Sequence, residues 1–148
     1  MFPHTLTLYT VESRTDLTTM RTEQVSNITV LEGVLMVPVM ASKADGKGYA
    51  GADTVTVYIP FGVRARDGVS GSEKRYVKPK AYAQAEDKAD IWTLSTAGKT
   101  FYIKGEVVEP EKTRAELEQA FDDIYSLTRV ARRDFGPEDM RHWEIGGA

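Results

Sequence analysis

The sequence predicts a mainly β fold, a small β-barrel or sandwich of about seven or eight strands with one α-helix near the C-terminal third. The first observation is residues 53–61, which read DTVTVYIPF and alternate the aliphatic Val55, Val57 and Ile59 with Thr and Tyr. A period of two places those aliphatic side chains on one face of a strand. The second is that most other apolar segments are short and are separated by turns. The third is that a single segment has the spacing and the cap of a stable helix.

The N-terminal third is predicted to hold β-strands around a polar insertion. Residues 2–11 form the first strand, because aliphatic and polar residues alternate there. The polar, Thr-rich residues 12–24 indicate a loop or an irregular hairpin. Residues 26–40 are β-rich, and Gly33 is expected to divide them by a turn or a bulge. The central strand then ends at Pro60, which has no N–H to donate.

The C-terminal half combines short strands with the single helix. The helix is predicted over 110–123, since Thr113 is a good N-cap and Glu116 completes a capping box. Residues at i, i+3 and i+4 spacing form its apolar face: Leu117, Ala120 and Phe121. A short basic strand or extended segment is predicted at 73–80, and strands are predicted at 91–94, 100–108, 124–132 and 140–145. The last two strands are expected to form a terminal hairpin.

The chain of 148 residues is expected to form one domain over 1–148, with an ordinary hydrophobic content of 41%. Long loops are predicted at 12–24, 42–52 and 62–72. The sequence GKGYAG at 46–51 matches the glycine pattern of dinucleotide-binding proteins. Such a site requires a helix after the glycines, whereas a strand follows here, so we interpret the segment as a loop.

Composition argues against several classes of protein. The formal net charge is −3, which excludes a strongly basic nucleic-acid-binding protein while leaving room for a local basic patch. The chain has no cysteine, so disulfides and thiolate metal sites are excluded. No segment approaches the ~20 apolar residues of a membrane helix, and the N-terminus lacks the features of a signal peptide. The sequence therefore predicts a soluble protein without a membrane partner.

No catalytic, cofactor-binding or metal-binding residues are expected, and we do not interpret the chain as an enzyme. The two histidines, His4 and His142, have no partner at the spacing of a metal-ligand pair. A small hydrolase that uses either histidine is the remaining enzymatic alternative, and loss of activity on replacing either one would support it.

Two segments carry opposite charge. Residues 64–80 hold six basic side chains against two acids, a net charge of +4, whereas residues 109–123 have a net charge of −4. The basic segment suits contacts with a phosphate backbone or another subunit, although a solvated loop is the alternative. Opposite charges on one chain suit head-to-tail contacts in a ring of identical subunits. The candidate contact residues are Arg64, Arg66, Lys74 and Arg75.

Two apolar residues near the C-terminus are candidates for a protein interface. Trp143 and Ile145 lie two residues apart in the last predicted strand. Aromatic side chains often dominate the energetics of protein interfaces, so we expect this pair to anchor one. The alternative is that Trp143 packs in the barrel core.

Three segments taken together resemble a known family. They read FPHTLTLY at 2–9, ADTVTVYIPF at 52–61 and RHWEIGG at 141–147, and KGE at 104–106 falls between them in the expected order. In this combination the chain resembles an uncharacterised family encoded in tailed phages and prophages of Gram-positive bacteria, among the head and tail morphogenesis genes. The resemblance spans nearly the whole chain, while the insertion at 12–24 has no match in it.

The resemblance implies a structural virion protein without catalytic residues. It indicates a head-closure, or stopper, protein, which is a small β-barrel that forms an oligomeric ring in the neck of the virion after assembly in the host cytoplasm. The expected partners are other copies of the chain, the portal or adaptor protein, the tail-terminator or tail tube protein, and packaged DNA bound without sequence preference. The alternatives are a tail-terminator or tail-completion protein and, from the basic segment, an oligonucleotide-binding barrel.

Overall fold

The computed structural model describes residues 2–38 and 54–148, so the loop expected at 42–52 lies outside the described residues. The described residues form nine strands, two short α-helices and one 3-10 turn. The strands are β1 (His4–Asp16), β2 (Arg21–Pro38), β3 (Val55–Pro60), β4 (Arg64–Asp67), β5 (Arg75–Tyr76), β6 (Ile91–Trp92), β7 (Lys99–Lys104), β8 (Ile124–Arg133) and β9 (His142–Gly147). The helices are α1 (Pro79–Gln84) and α2 (Arg114–Ala120), and the 3-10 turn is Glu138–Met140.

Six of the strands form a near-closed ring. Antiparallel pairing joins them in the order β1–β7–β8–β9–β3–β2, and β1 pairs again with β2 along its whole length. β4 pairs with β2, while β5 and β6 form a separate parallel pair. The mainly β prediction is therefore confirmed, and of the two predicted architectures the ring is that of a barrel. The predicted terminal hairpin is also present, as β8 and β9.

A bulge at Gly33 lets β2 pair with two different strands along one edge. Before it, residues 29–32 pair with β4, and after it, residues 35–38 pair with β3. The pairing with β1 shifts by one residue at this point, and Gly33 has a φ of +89°, which residues with a Cβ rarely adopt. The prediction of a turn or bulge at Gly33 is confirmed as a bulge, which bends the strand.

The inside of the ring is a continuous apolar core. The alternating residues of the central strand, Val55, Val57 and Ile59, are all buried there, as their period of two predicts. Aromatic rings extend this core towards β5 and β6, because the Trp143 ring lies 4.4 Å from the Tyr76 ring. The core therefore anchors the small pair of strands to the ring.

A second, smaller core lies on the outer face of β1, β2 and β7. The helix α2 covers it with Leu117, which is fully buried against Tyr9, Ile28, Phe101 and Ile103. The Tyr9 and Phe101 rings stack with their centroids 4.8 Å apart. This packing fixes α2 on one side of the barrel.

The helix α2 is shorter than the predicted 110–123 but has the predicted N-cap, Thr113. The Thr113 hydroxyl accepts a hydrogen bond from the Glu116 N–H, and the Glu116 carboxylate accepts one from the Thr113 N–H, so the capping box is confirmed. Of the expected apolar face, Leu117 is buried, Phe121 is half-buried and Ala120 is exposed. The backbone becomes extended at Phe121, so only about one turn of the helix packs on the sheet.

Two segments predicted as long loops contain strands. Residues 12–24 belong mostly to the paired ends of β1 and β2, with a turn at 17–20 between them, so the hairpin interpretation holds there and the loop interpretation does not. Threonine explains the difference, because its branched Cβ suits a strand although its hydroxyl makes the segment polar. Thr15 and Thr22 face each other across this hairpin with hydroxyl oxygens 3.4 Å apart. The segment 62–72 contains β4, whose hydrogen-bond partner β2 is distant in sequence.

We predict that Gly147→Ala destabilises the ring. A Cβ at Gly147 would lie 2.8 Å from the Tyr125 Cβ and would overlap the Tyr102 hydroxyl, so β9 or its neighbours must shift. Overpacking of this kind lowers the free energy of unfolding by about 2 kcal/mol, measured by urea denaturation. Gly98→Ala is the control, because nothing lies within 4 Å of a Cβ there. An equal loss in both variants would contradict the tight packing around β9.

Candidate functional site

Lys74, a predicted DNA-facing residue, is buried inside the protein. Its side chain has no exposed surface and forms an ion pair with Asp67, the Nζ lying 3.0 Å from Oδ1. It also donates hydrogen bonds to the Asn27 Oδ1 at 2.6 Å, the Ile28 carbonyl at 3.1 Å and the Thr29 hydroxyl at 3.1 Å. An ammonium enclosed by these acceptors cannot reach a phosphate backbone, so the prediction needs correction for Lys74.

The same network, which we call the Lys74 clamp, ties β2 to the segment that contains β5, α1 and β6. The Asn27 amide donates to the Tyr82 hydroxyl at 3.0 Å and to the carbonyls of Lys88 at 3.1 Å and Ile91 at 3.3 Å. The clamp therefore holds residues 73–94 on the ring. Sequence reasoning missed it, because a lone Asn in a β-rich segment gives no sign of a lysine partner 47 residues away.

Burial and pairing shift the pKa values of both charged groups in the clamp. Burial lowers the pKa of the Lys74 ammonium below its usual value, and the Asp67 carboxylate offsets only part of that shift. Burial alone would raise the pKa of Asp67, but the Ser70 N–H and the Lys74 ammonium together hold it below its usual range. The Asp67 carboxylate also accepts from the Val69 N–H at 3.0 Å, so it fixes the turn after β4.

Arg66 is held by two carboxylates. Its Nη2 lies 2.6 Å from Glu106 and its Nε lies 3.2 Å from Glu32. The hydrogen bond to Glu106 is the main reason that the pKa of Arg66 lies above its usual value. Of the four predicted contact residues, Arg64, with 76% of its side chain exposed, and Arg75 remain on the surface. Lys78 and Lys80, the other basic residues of the segment, are exposed as well, so four of its six cations remain on the surface.

The predicted interface anchors Trp143 and Ile145 also need correction, because both lie in the inner core. Trp143 is 4% exposed and Ile145 is fully buried. The Phe61 ring packs 4.5 Å from the Trp143 ring, and the Arg132 guanidinium lies 5.2 Å from the Phe61 ring. The alternative in which Trp143 packs in the barrel core is the correct one. Ile145 follows it inward because residues two apart share one face of a strand.

The hairpin of β1 and β2 projects beyond the rest of the sheet. β7 pairs with β1 only up to Val11, and past that residue the two strands pair only with each other within the part of the chain that the structure describes. We call residues 12–25 the arm. At its tip, Leu17 is 85% exposed and Met20 is 76% exposed. These two exposed apolar side chains make the tip of the arm a candidate interaction site.

A groove of about 500 Å³ lies between the base of the arm and the start of α2. Val11, Gln24, Phe101 and Thr113 are among its walls. The Arg114 guanidinium lies 5.3 Å from the Phe101 ring, so a cation borders the groove.

The outer face of β8, β9 and β3 carries two arginines, and we call it the open sheet surface. Ile145 points into the core, so its neighbour Glu144 points outward. The guanidiniums of Arg129 and Arg133 lie 3.9 Å and 3.1 Å from the same Glu144 carboxylate oxygen, and their side chains are 40% and 46% exposed. Sequence reasoning missed this surface, although TRVARR at 128–133 places two arginines on a predicted strand and a third directly after it.

Both histidines have structural partners. The His4 Nδ1 accepts a hydrogen bond from the Met36 N–H at 3.0 Å, and the His142 ring lies 5.7 Å from the Tyr58 ring. Within residues 2–38 and 54–148, no group of three or more His, Asp or Glu is placed to hold a metal ion. Among the same residues, no helix has the length and apolar character to span a membrane.

We predict that Lys74→Met is strongly destabilising. The substitution leaves the Asp67 carboxylate without its cation, and removing one partner of a buried pair lowers the free energy of unfolding by about 3 kcal/mol or more. Urea denaturation followed by tryptophan fluorescence measures the loss. Arg75→Met is the matched control at the exposed next position, with an expected change within about 0.5 kcal/mol. Equal losses in the two variants would contradict the role of the clamp.

We also predict that Asp67 contributes stability that acid removes. Its pKa is lower in the folded protein than the ordinary value of 3.8, so the unfolded chain takes up a proton first as the pH falls. The contribution is complete above that ordinary value and is lost as the pH falls through the folded pKa. Asp67→Asn should therefore be less stable than the wild type at about pH 7 and differ less from it at about pH 3. A difference that does not change between these two urea titrations would contradict this assignment.

The whole chain matches one family model. The model is described as a family of unknown function (DUF6751), and the match covers residues 1–148. No curated protein and no solved structure matches the chain. The match therefore includes the barrel, the arm and the open sheet surface. The chain belongs to the family of unknown function DUF6751.

Proposed function

We propose that this chain is a structural virion protein of a tailed bacteriophage, a head-closure subunit that forms a ring between the portal or adaptor and the tail. The starting point is the resemblance of residues 2–9, 52–61 and 141–147 to a family encoded among phage head and tail morphogenesis genes. Head-closure proteins are small β-barrels, and the near-closed ring of six strands is compatible with that architecture.

The projecting arm is the observation that carries the proposal. A two-stranded ribbon is marginally stable by itself in water, and this one presents Leu17 and Met20 to solvent at its tip. Contact with another protein would bury both side chains and support the ribbon. A head-closure subunit has to bind a different protein, the portal or adaptor, as well as its own copies. The arm supplies a surface for that different partner.

The distribution of charge favours protein contacts over DNA binding by the isolated chain. Arg66 and Lys74, two of the six cations in the basic segment, are held by carboxylates. Salt-dependent binding to DNA requires several cations that are available to phosphates on one surface. The oligonucleotide-binding barrel that the basic segment suggested therefore has less support than the connector. Contact with packaged DNA would arise from many subunits in a ring.

Retention on separated phage particles tests the proposal. The purified chain is mixed with DNA-filled heads that lack tails and, separately, with free tails. Retention on heads with reduced leakage of DNA supports head closure. Retention on tails alone would identify a tail-terminator or tail-completion protein instead. Retention on neither, with salt-sensitive binding to free DNA, would contradict the connector proposal and favour the oligonucleotide-binding barrel.

We predict that the double substitution Leu17→Ser and Met20→Ser weakens retention on heads by about tenfold or more, because the contact would no longer bury two apolar side chains. The thermal unfolding midpoint should stay at the wild-type value, since both side chains are exposed in the free chain. Val69→Ser is the control, a change at an apolar residue that is 67% exposed on the turn after β4. Wild-type retention by the arm variant would show that the arm is not the contact.

A further inference from the structure

We propose that neighbouring copies of this chain bind head to tail, with an acidic helix surface of one copy on the open sheet surface of the next. The helix surface comprises residues 109–123, which include α2 and carry a net charge of −4. This inference rests on the proposed function, because a connector ring requires one contact that repeats between identical subunits. It extends that function by naming both halves of the contact.

The two surfaces lie on opposite sides of the barrel. In the ring order β1–β7–β8–β9–β3–β2, the strands β1 and β9 stand directly across from each other. The helix α2 packs through Leu117 against Tyr9 of β1 and Phe101 of β7, whereas β9 is the middle strand of the open sheet surface. Two unlike surfaces on opposite sides make a heterologous contact, and such contacts repeat into a ring or a filament.

The charges of the two surfaces are complementary. Arg129 and Arg133 share the single carboxylate of Glu144, so these three side chains have a net positive charge. Strand β8 as a whole carries three arginines and no acid. The helix surface keeps its excess of acid although the Arg114 guanidinium pairs with Glu118 at 2.8 Å. Attraction between such surfaces guides association and fixes orientation.

The shape of the open sheet surface also suits a helix. The pairing register places the small residue Ala131, which is half-buried, on it beside the arginines. Tyr58 and His142 are on the same face, with their rings 5.7 Å apart. Small residues allow a helix to approach the strands closely, and Tyr and Arg are enriched in protein interfaces.

The basic segment 64–80 is a poorer receptor for the helix surface than its charge count suggests. Lys74 has no exposed side chain, and Arg66 is held by Glu32 and Glu106. Its strand β4 also pairs with β2, which adjoins β1 beneath α2, so this segment does not lie across the barrel from the helix. The arginines of β8 are the better match in both charge and position.

Disulfide formation between engineered cysteines tests the contact. The chain has no cysteine, so each single-cysteine variant contributes one thiol, and the mixed disulfide is separated by mass from the two symmetrical ones. The Asp122→Cys variant is mixed with the Ala131→Cys variant under mild oxidation. In the control, the Asp122→Cys variant is mixed instead with Ser70→Cys, whose cysteine is at an exposed position outside the proposed contact. The first pair should give about tenfold more mixed disulfide, because binding raises the effective concentration of the thiols. Equal yields would overturn the contact.

Charge reversal supplies a second measurement. Sedimentation equilibrium at up to about 1 mM protein measures self-association. The pairs E118K/D122K and R129E/R133E should each weaken it by about tenfold or more, and a chain with all four substitutions should recover it. R129E/R133E places two new carboxylates beside that of Glu144, so R129Q/R133Q is also measured as a substitution that removes the positive charges without adding negative ones. Circular dichroism checks the fold of every variant. No weakening, or no recovery in the combined chain, would overturn the contact.

These measurements separate the subunit contact from the proposed function. A chain that is retained on heads but shows neither the cross-link nor charge-dependent association keeps the head-closure function and refutes this contact. A chain that associates through the two surfaces but is retained on neither heads nor tails supports the contact and refutes the function.

Discussion

Closure of the six-stranded ring through β2 is the constraint on which the rest of the structure depends. β2 has to pair with β1 along one edge and with both β4 and β3 along the other, and the bulge at Gly33 separates those two partners. A straight β2 would lead residues 35–38 away from β3, and the ring would then stay open between β2 and β3. Closure removes exposed strand edges and encloses one continuous apolar core.

The closed ring also determines which residues are left to bind other molecules. The inner core takes Trp143 and Ile145, and the clamp takes Lys74, so none of these three can serve an interface. The surfaces that remain are the apolar tip of the arm, the acidic helix surface and the arginine-bearing open sheet surface. The tip of the arm is apolar, whereas the helix surface and the open sheet surface are charged and have opposite signs. That division suits a subunit that binds its own copies on two sides and a different protein through the arm.

Local patterns in the sequence predicted local structure, whereas contacts between distant residues escaped them. The central strand and the Thr113 cap were found because their signals lie within a few residues of each other. The partners of the basic segment are remote, since Lys74 binds Asn27 at a separation of 47 residues and Arg66 binds Glu106 at 40. A charge count within one segment cannot show that carboxylates from elsewhere neutralise it. The arm was predicted only as a loop or an irregular hairpin, because the polarity of its threonines hides the regular strand pairing.

Electron cryomicroscopy of assembled particles tests the connector account most directly. Particles from a phage or induced prophage that carries this gene are imaged with and without the gene intact. The account predicts a ring of these barrels in the neck, between the portal or adaptor and the tail, and loss of that ring together with detached tails when the gene is disrupted. Barrel density in the capsid shell or along the tail tube, or an unchanged neck without the gene, would contradict the account.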